Sequence, residues 1–192
     1  GKADNSGDDD YQAWVDVLAY AGTAFDVAQG SQVNCKYGVT HISNTIVLPN
    51  RVAVSGPNGR GLVWRPHSSF TADFMFDAVN GTTSMFGSRL EECYIDARGF
   101  NMQAPIRSQA WQETCGLRNV VVQYDGTTPY GLYVTQGYGG AAYLPLKDVE
   151  FFADSTAPIV TPIFVDTISV VGGFVLSIDG CTIAGTPTNP VS

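Results

Sequence analysis

Four segments of the chain repeat one another: LEECYIDARG at 90, LRNVVVQYDG at 117, LKDVEFFADS at 146 and SIDGCTIAGT at 177. Aligning Leu90, Leu117, Leu146 and Ile178 puts Cys93, Val120, Val149 and Cys181 three positions later, and Ile95, Val122, Phe151 and Ile183 two further on. Glu92, Asn119, Asp148 and Gly180 form a further column. The intervals are 27, 29 and 32 residues. A repeat of that length, built from short β-rich runs with no helix between them, reads as one coil of a solenoid. Each strand then pairs with its counterpart one coil away, at about 4.8 Å. A β-sandwich also accommodates short strands with turn signals, but the in-register columns favour the solenoid.

The stretch HISNTIVLPNRVAVSG, residues 41 to 56, fits the same plan. Ile42, Ile46, Leu48, Val52 and Val54 fall at near-alternate positions, the spacing of strands. Pro49-Asn50-Arg51 joins the halves where a tight hairpin would need Asn-Gly or a similar pair. The second strand is therefore expected to turn a corner onto another face of the coil. GPNGRG at 56 is flanked by strands and reads as a corner rather than a phosphate loop.

The N-terminal segment differs. SGDDDYQAWVDVLAYAG places acidic residues at a helix start, where they favour the positive end of the dipole. Tyr11, Trp14, Val15, Leu18 and Ala21 follow on one face. The spacing predicts a helix from about Asp9 to Ala21, with Asp8 as its cap and Gly22 as its stop. The Asp triplet is also open to a cation. Expected overall is one all-β domain over residues 1–192, a single-stranded right-handed parallel β-helix. Residues 8–22 form its N-terminal capping α-helix, 30–186 the coils and 187–192 a tail.

Net charge is −8, which argues against nucleic acid and anionic membranes as partners. No run approaches the roughly 20 apolar residues of a membrane helix, so no membrane insertion is expected. Gly1 does not look like a natural start, and the chain reads as a processed piece. Charged residues are only 15% against 44% hydrophobic, a surface short of charge for a free monomer. Either another chain covers part of the apolar surface, or strands rich in Ser, Thr and Asn keep it soluble without many charges. Cys35, Cys93, Cys115 and Cys181 are scattered, and His41 and His67 are the two imidazoles. Neither a zinc site nor another metal site is expected, nor any cofactor. Cys93 and Cys181 share a column three steps apart, about 14 Å, beyond disulfide reach.

The Asp8-Asp9 helix start, the helix to Ala21, Gly30, Val33, Gly38, Ile42, Ile46-Val47-Leu48-Pro49, Val52, Val54 and Gly56 together resemble the N-terminal cap and first coils of pectate-lyase-like β-helix proteins. The version they look most like occurs in bacteriophage tailspikes and related virion proteins. The resemblance spans residues 8 to 60. It departs at Cys35, Lys36 and Tyr37, where the family more often has Pro beside Gly, and NSGDDD keeps only part of the usual lead-in. The resemblance implies the fold; for function the fold carries lyases, hydrolases, epimerases and inert spikes alike.

Candidate chemistry lies eight positions after the column Leu, at Arg98, Asp125 and Asp154, with Thr186 after Ile178. In register, Asp125 and Asp154 stack on adjacent coils about 5 Å apart. Such a pair could act as acid and base in glycoside cleavage, with Arg98 beside it. It could equally hold Ca²⁺, or the Asp residues of YDGT and ADST could bond their own turns. Tyr130, Tyr133 and Tyr138, with Trp111, are candidate glycan-binding rings; packing within the coil or at a subunit interface is the alternative. The leading expectation is a non-catalytic bacteriophage virion component, a tailspike or fibre module or a capsid-decorating protein. Its expected partners are two further copies in a homotrimer, other virion proteins and a host-surface polysaccharide. A polysaccharide lyase or glycoside hydrolase of the same fold is the alternative, and a cell-surface adhesin module a third.

Overall fold

The computed structural model describes residues 7–23, 30–58, 60–78, 86–109, 111, 114–135, 142–154, 161–166 and 174–184. Among them one helix, α1 (Tyr11–Thr23), precedes strands that stack on three faces. The first face holds β1 (Ser31–Asn34), β4 (Val52–Ser55), the start of β7 (Arg89–Asp96), the start of β9 (Gly116–Tyr124), β11 (Ala142–Lys147) and β14 (Phe174–Asp179). The second holds β2 (Gly38–Ile42), β5 (Leu62–Pro66), the ends of β7 and β9, β12 (Glu150–Ala153) and β15 (Thr182–Ala184). On the third lie β3 (Ile46–Val47), β6 (Phe74–Ala78), β8 (Ala104–Gln109), β10 (Tyr130–Thr135) and β13 (Thr161–Asp166). These strands pair in parallel, each with its counterpart in the next coil, and the fold is a parallel β-helix with an N-terminal cap.

The register is that of the sequence columns. Leu90 pairs with Leu117, Leu117 with Leu146 and Leu146 with Ile178. Ile95, Val122, Phe151 and Ile183 pair in the same succession. Val52–Ser55 lies on Ser31–Asn34, one coil back, so the chain after Pro49 does turn a corner. The core is the stacked inward rows of the three faces, with Trp64, Phe76, Leu90, Ile106, Leu117, Val122 and Leu132 fully buried. Two column members depart: Ile178 is 49% exposed and Ile183 is 39% exposed. Both belong to the last described coil, and no described strand lies on their far side. No disulfide joins the four cysteines; Cys93 and Cys115 are buried, and Cys35 and Cys181 half-buried. Burial pushes the Cys35 thiol up to about 11.

Two corners are built from backbone in the left-handed region. Glu92, Asn119, Asp148 and Gly180 have φ of 55°, 50°, 53° and 65°. They bend β7 and β9 between the first and second faces and repeat the turn in the next two coils. Gly30, Arg51, Gly87 and Thr114, at 69°, 62°, 69° and 69°, form the corner that leads into the first face. Glycine adopts this conformation without penalty, and Asn and Asp tolerate it. Glu92, Arg51 and Thr114 do neither and carry strain there.

The helix begins slightly later than its spacing predicts, and Asp8 is not its cap. The Asp10 carbonyl accepts the first helical bond from the Trp14 amide at 3.1 Å, and the Asp9 carboxylate accepts from the Tyr11 amide at 3.0 Å. Both carboxylates also hold the first coil: Asp9 accepts from the Ser43 amide at 3.0 Å and Asp10 from the Thr40 hydroxyl at 2.9 Å. A start that must dock on β2 selects the two residues that reach it. Gly22 lies inside the helix, which continues to Thr23. Leu18 and Ala21 are buried, while Trp14 is half-buried, its ring 4.3 Å from Trp64 and its Nε1 donating to Thr40 Oγ1 at 2.8 Å. At the other end the Ser31 hydroxyl donates to the Ala21 carbonyl at 2.8 Å. The helix is thus fastened to the first coil at both ends. Residues 187–192, expected as a tail, and Thr186 lie outside the described residues.

Candidate functional site

The second face ends in an outward row of Arg65, Asp96, Gln123 and Phe152 on successive coils. Asp96, at the end of β7, is 7% exposed. A buried carboxylate must be paired, and here two arginines do so. Arg98 Nε and Nη2 donate to its two oxygens at 2.8 and 3.0 Å, and Arg65 Nε donates at 3.2 Å from the coil before. Burial alone would raise the Asp96 carboxyl, but the hydrogen bonds and charge of Arg98, with Arg65, outweigh it and hold it below the usual range. The bond to Asp96 in turn raises the Arg98 guanidinium. With Pro66, Gly99, Phe100 and Asp154 these residues line a groove of about 410 Å³.

The candidate residues Arg98, Asp125 and Asp154 do follow one another coil by coil. The Ala97 amide donates to the Gln123 carbonyl at 2.8 Å and the Asp154 amide to the Tyr124 carbonyl at 2.9 Å. Their side chains have different fates. Asp125 is occupied by its own turn and by the coil before it: it accepts from the Thr127 hydroxyl at 2.6 Å, the Thr127 amide at 3.1 Å and, across coils, the Gly99 amide at 2.6 Å. Burial raises its carboxyl, but these bonds and Arg98 bring it below the ordinary value, the wrong direction for a general acid. Asp154 is exposed and lines the groove with Arg98.

The aromatic candidates separate just as clearly. Tyr130 and Tyr133 lie on β10 and are half-buried. Tyr130 stacks on Phe164 with centroids 4.4 Å apart, and Tyr133 lies 5.2 Å from Phe164 and 5.9 Å from Phe74. The Tyr133 hydroxyl donates to Asp166 at 3.0 Å. Beside them Arg107 sits 4.5 Å over the Phe74 ring and donates to Asp77 with Nε at 2.8 Å. Val47, Asp77, Arg107, Tyr133 and Phe164 thereby form one outward row across five coils of the third face. Trp111 is corrected: its ring is fully buried in the core and offers no face to a sugar. It lies between strands, where alternation says nothing about direction. Tyr138 lies outside the described residues.

Sequence reasoning missed the Asp77–Arg107 and Arg65–Asp96 pairs. Each joins neighbouring coils, 30 and 31 residues apart. The repeat columns begin at Leu90, so the earlier member of each pair has no column. A spacing near the coil length between opposite charges is the available signal. Compared with protein-family models, curated proteins and solved structures, the chain matches none of them.

Proposed function

We propose that the protein is a non-catalytic component of a bacteriophage virion, a tailspike or fibre module or a capsid-decorating protein. It works by assembly, as a homotrimer seated among other virion proteins, and reaches a host-surface polysaccharide as part of that particle. The resemblance of residues 8 to 60 to virion β-helices supports the class. One observation carries the non-catalytic reading. Of the carboxylates near the groove at the end of the second face, Asp96 is held by two arginines and Asp125 by its own turn. Asp154 is left as the groove's remaining carboxylate among the described residues, whereas glycoside hydrolysis by the usual route requires two working across the scissile bond.

The outward row of the third face supports assembly. Val47 is 58% exposed, and the Tyr130, Tyr133 and Phe164 rings on the same face form a contiguous aromatic strip. Apolar strips of this kind are favoured at interfaces between chains. The second face differs: Val121 is buried, and Tyr94 is hydrogen-bonded to Gln123. Light scattering at micromolar concentration tests the proposal against a chain mass of 20.5 kDa. A particle of three chains that falls to one on Tyr133→Asp supports it. A monomer that cleaves a polysaccharide, and loses that activity on Asp154→Asn, overturns it.

A further inference from the structure

The last described coil ends in an open edge. Strands β14 and β15 pair on one side with β11 and β12, and no described strand pairs with either on the other side. An edge of this kind offers its amides and carbonyls to another strand. Ile178 and Ile183 continue the columns of Leu146 and Phe151, which are buried, yet they stand 49% and 39% exposed. Between the two strands lies the corner at Gly180. The Asp148 carboxylate, one coil back, fills the space that a side chain at position 180 would take, and Asp179 is exposed beside it. Lys147, in register with Asp179, is the last cation of the chain. From residue 148 to 192 stand Asp148, Glu150, Asp154, Asp166 and Asp179, with no lysine or arginine. Glu150 is paired with Arg60. The open edge is therefore apolar along its inward row and negative at its corner.

We infer that this edge docks an extended segment of a partner protein, apolar at alternate positions and basic at the positions between. The segment adds a strand to β14 and β15, and main-chain hydrogen bonds hold it. The two-residue period of a strand then lays its apolar side chains over Ile178 and Ile183 and brings its lysines or arginines to Asp179 and Asp148. A second copy of this chain is the wrong occupant. Tail to tail, it would set Asp148 and Asp179 against the same carboxylates. Head to tail, it would present helix α1, which carries Asp16 and no lysine or arginine. The edge lies on the first and second faces, apart from the third-face strip assigned to assembly, so failure of one reading leaves the other standing.

Titration of the intact chain with synthetic peptides, read by affinity and by amide hydrogen exchange, tests this. The probe is a peptide of about eight residues alternating lysine and valine, within the usual length of a strand. One control carries glutamate in place of lysine. The other keeps every lysine but has proline at alternate valines, which removes ladder donors without changing charge. Saturable binding of the probe is expected, with both controls weaker by roughly tenfold or more. Exchange within residues 176–184 should slow by roughly tenfold or more when the probe is bound. The double variant Ile178→Lys, Ile183→Lys blocks the edge with charge and should lose roughly tenfold or more in affinity. Both positions are exposed, so its melting temperature should stay within about 2 °C of the parent. A proline control that binds as tightly as the probe reduces the effect to charge alone and overturns the proposal, and so does an equally tight glutamate peptide. Slowed exchange confined to other strands overturns the location. Full protection of these amides before any peptide is added would mean that the edge is already covered, and overturns it as well.

Discussion

Asn119 donates from Nδ2 to the Glu92 carboxylate at 2.6 Å, one coil away, and both residues hold the left-handed backbone that bends their strands. Arg60 Nε donates at 2.8 Å to Asn119 Oδ1 and its Nη1 pairs with Glu150 at 2.7 Å, so one corner ties several coils together. Asn119 therefore has two roles, a backbone conformation and a side-chain bridge, and two substitutions separate them. Asn119→Gly removes the bridge but suits the backbone, with an expected cost of about 1 kcal/mol. Asn119→Ala removes the bridge and adds left-handed strain, with an expected cost of about 2–3 kcal/mol. Urea unfolding measures both. A glycine variant less stable than the alanine one would contradict this account of the corner.

Leu117 and Ile178 occupy one column, yet Leu117 is fully buried and Ile178 is 49% exposed. Leu117→Asp buries an unpaired carboxylate between two coils and should cost about 4 kcal/mol or more. Ile178→Asp places the same group at the open side of the last described coil, with an expected cost under about 1 kcal/mol. Thermal melts of the pair read the difference directly. Equal losses would mean that Ile178 is covered in solution.

The repeat made the inward columns legible because a solenoid imposes one register on every coil, and apolar residues must then recur at its period. The column of Asn119, Asp148 and Gly180 also carries a signal for the left-handed corner, since these residue types tolerate it, but sequence reasoning did not draw that corner from it. The second corner was hidden. Gly30, Arg51, Gly87 and Thr114 are separated by unequal intervals, because the early coils carry corner segments of different length. Side-chain direction was illegible wherever the chain leaves a strand. Trp111 is buried at such a place, and Asp125 is consumed by its turn. Charge pairs across coils depend on which early residue faces which later one, and the repeated segments begin too late in the chain to show it.

Acid should act through Asp96. Its folded carboxyl lies below the unfolded value of about 3.9. Its contribution to stability is therefore fully present above that value and is lost as pH falls through the lowered folded value. Asp125 and Asp9 are shifted in the same direction and add to the same limb. Asp96→Asn should lower stability at neutral pH, because Arg65 and Arg98 lose their partner, and should flatten the decline below about pH 4. Denaturant midpoints collected from about pH 2 to 7 would reveal both effects. A decline equally steep in Asp96→Asn would place the acid sensitivity elsewhere.

Helix α1 should be needed to keep the first coil from pairing with other chains. The strands β1, β2 and β3 are each bonded on one side to the next coil, to β4, β5 and β6. Their other side would offer unpaired amides and carbonyls together with the end of the core, a template for edge-to-edge association. The helix contacts β1, β3 and β4, buries Leu18 and Ala21 there, and leans Trp14 on Trp64. Asp9 adds a parallel bridge to His41, and the Asp10 amide donates to the His41 carbonyl at 2.8 Å, so the residues before the helix occupy part of the edge of β2. Removing residues 1 to 23 should therefore yield aggregates. A point variant separates edge protection from mere loss of stability. Leu18→Asp, which puts a charge into the seam between helix and coil, should expose the end of the core while leaving the later coils folded. Its expected signature is concentration-dependent light scattering at a temperature where circular dichroism still reports strand. If the shortened chain stays monodisperse and folded, the helix is dispensable and the first coil protects its own edge.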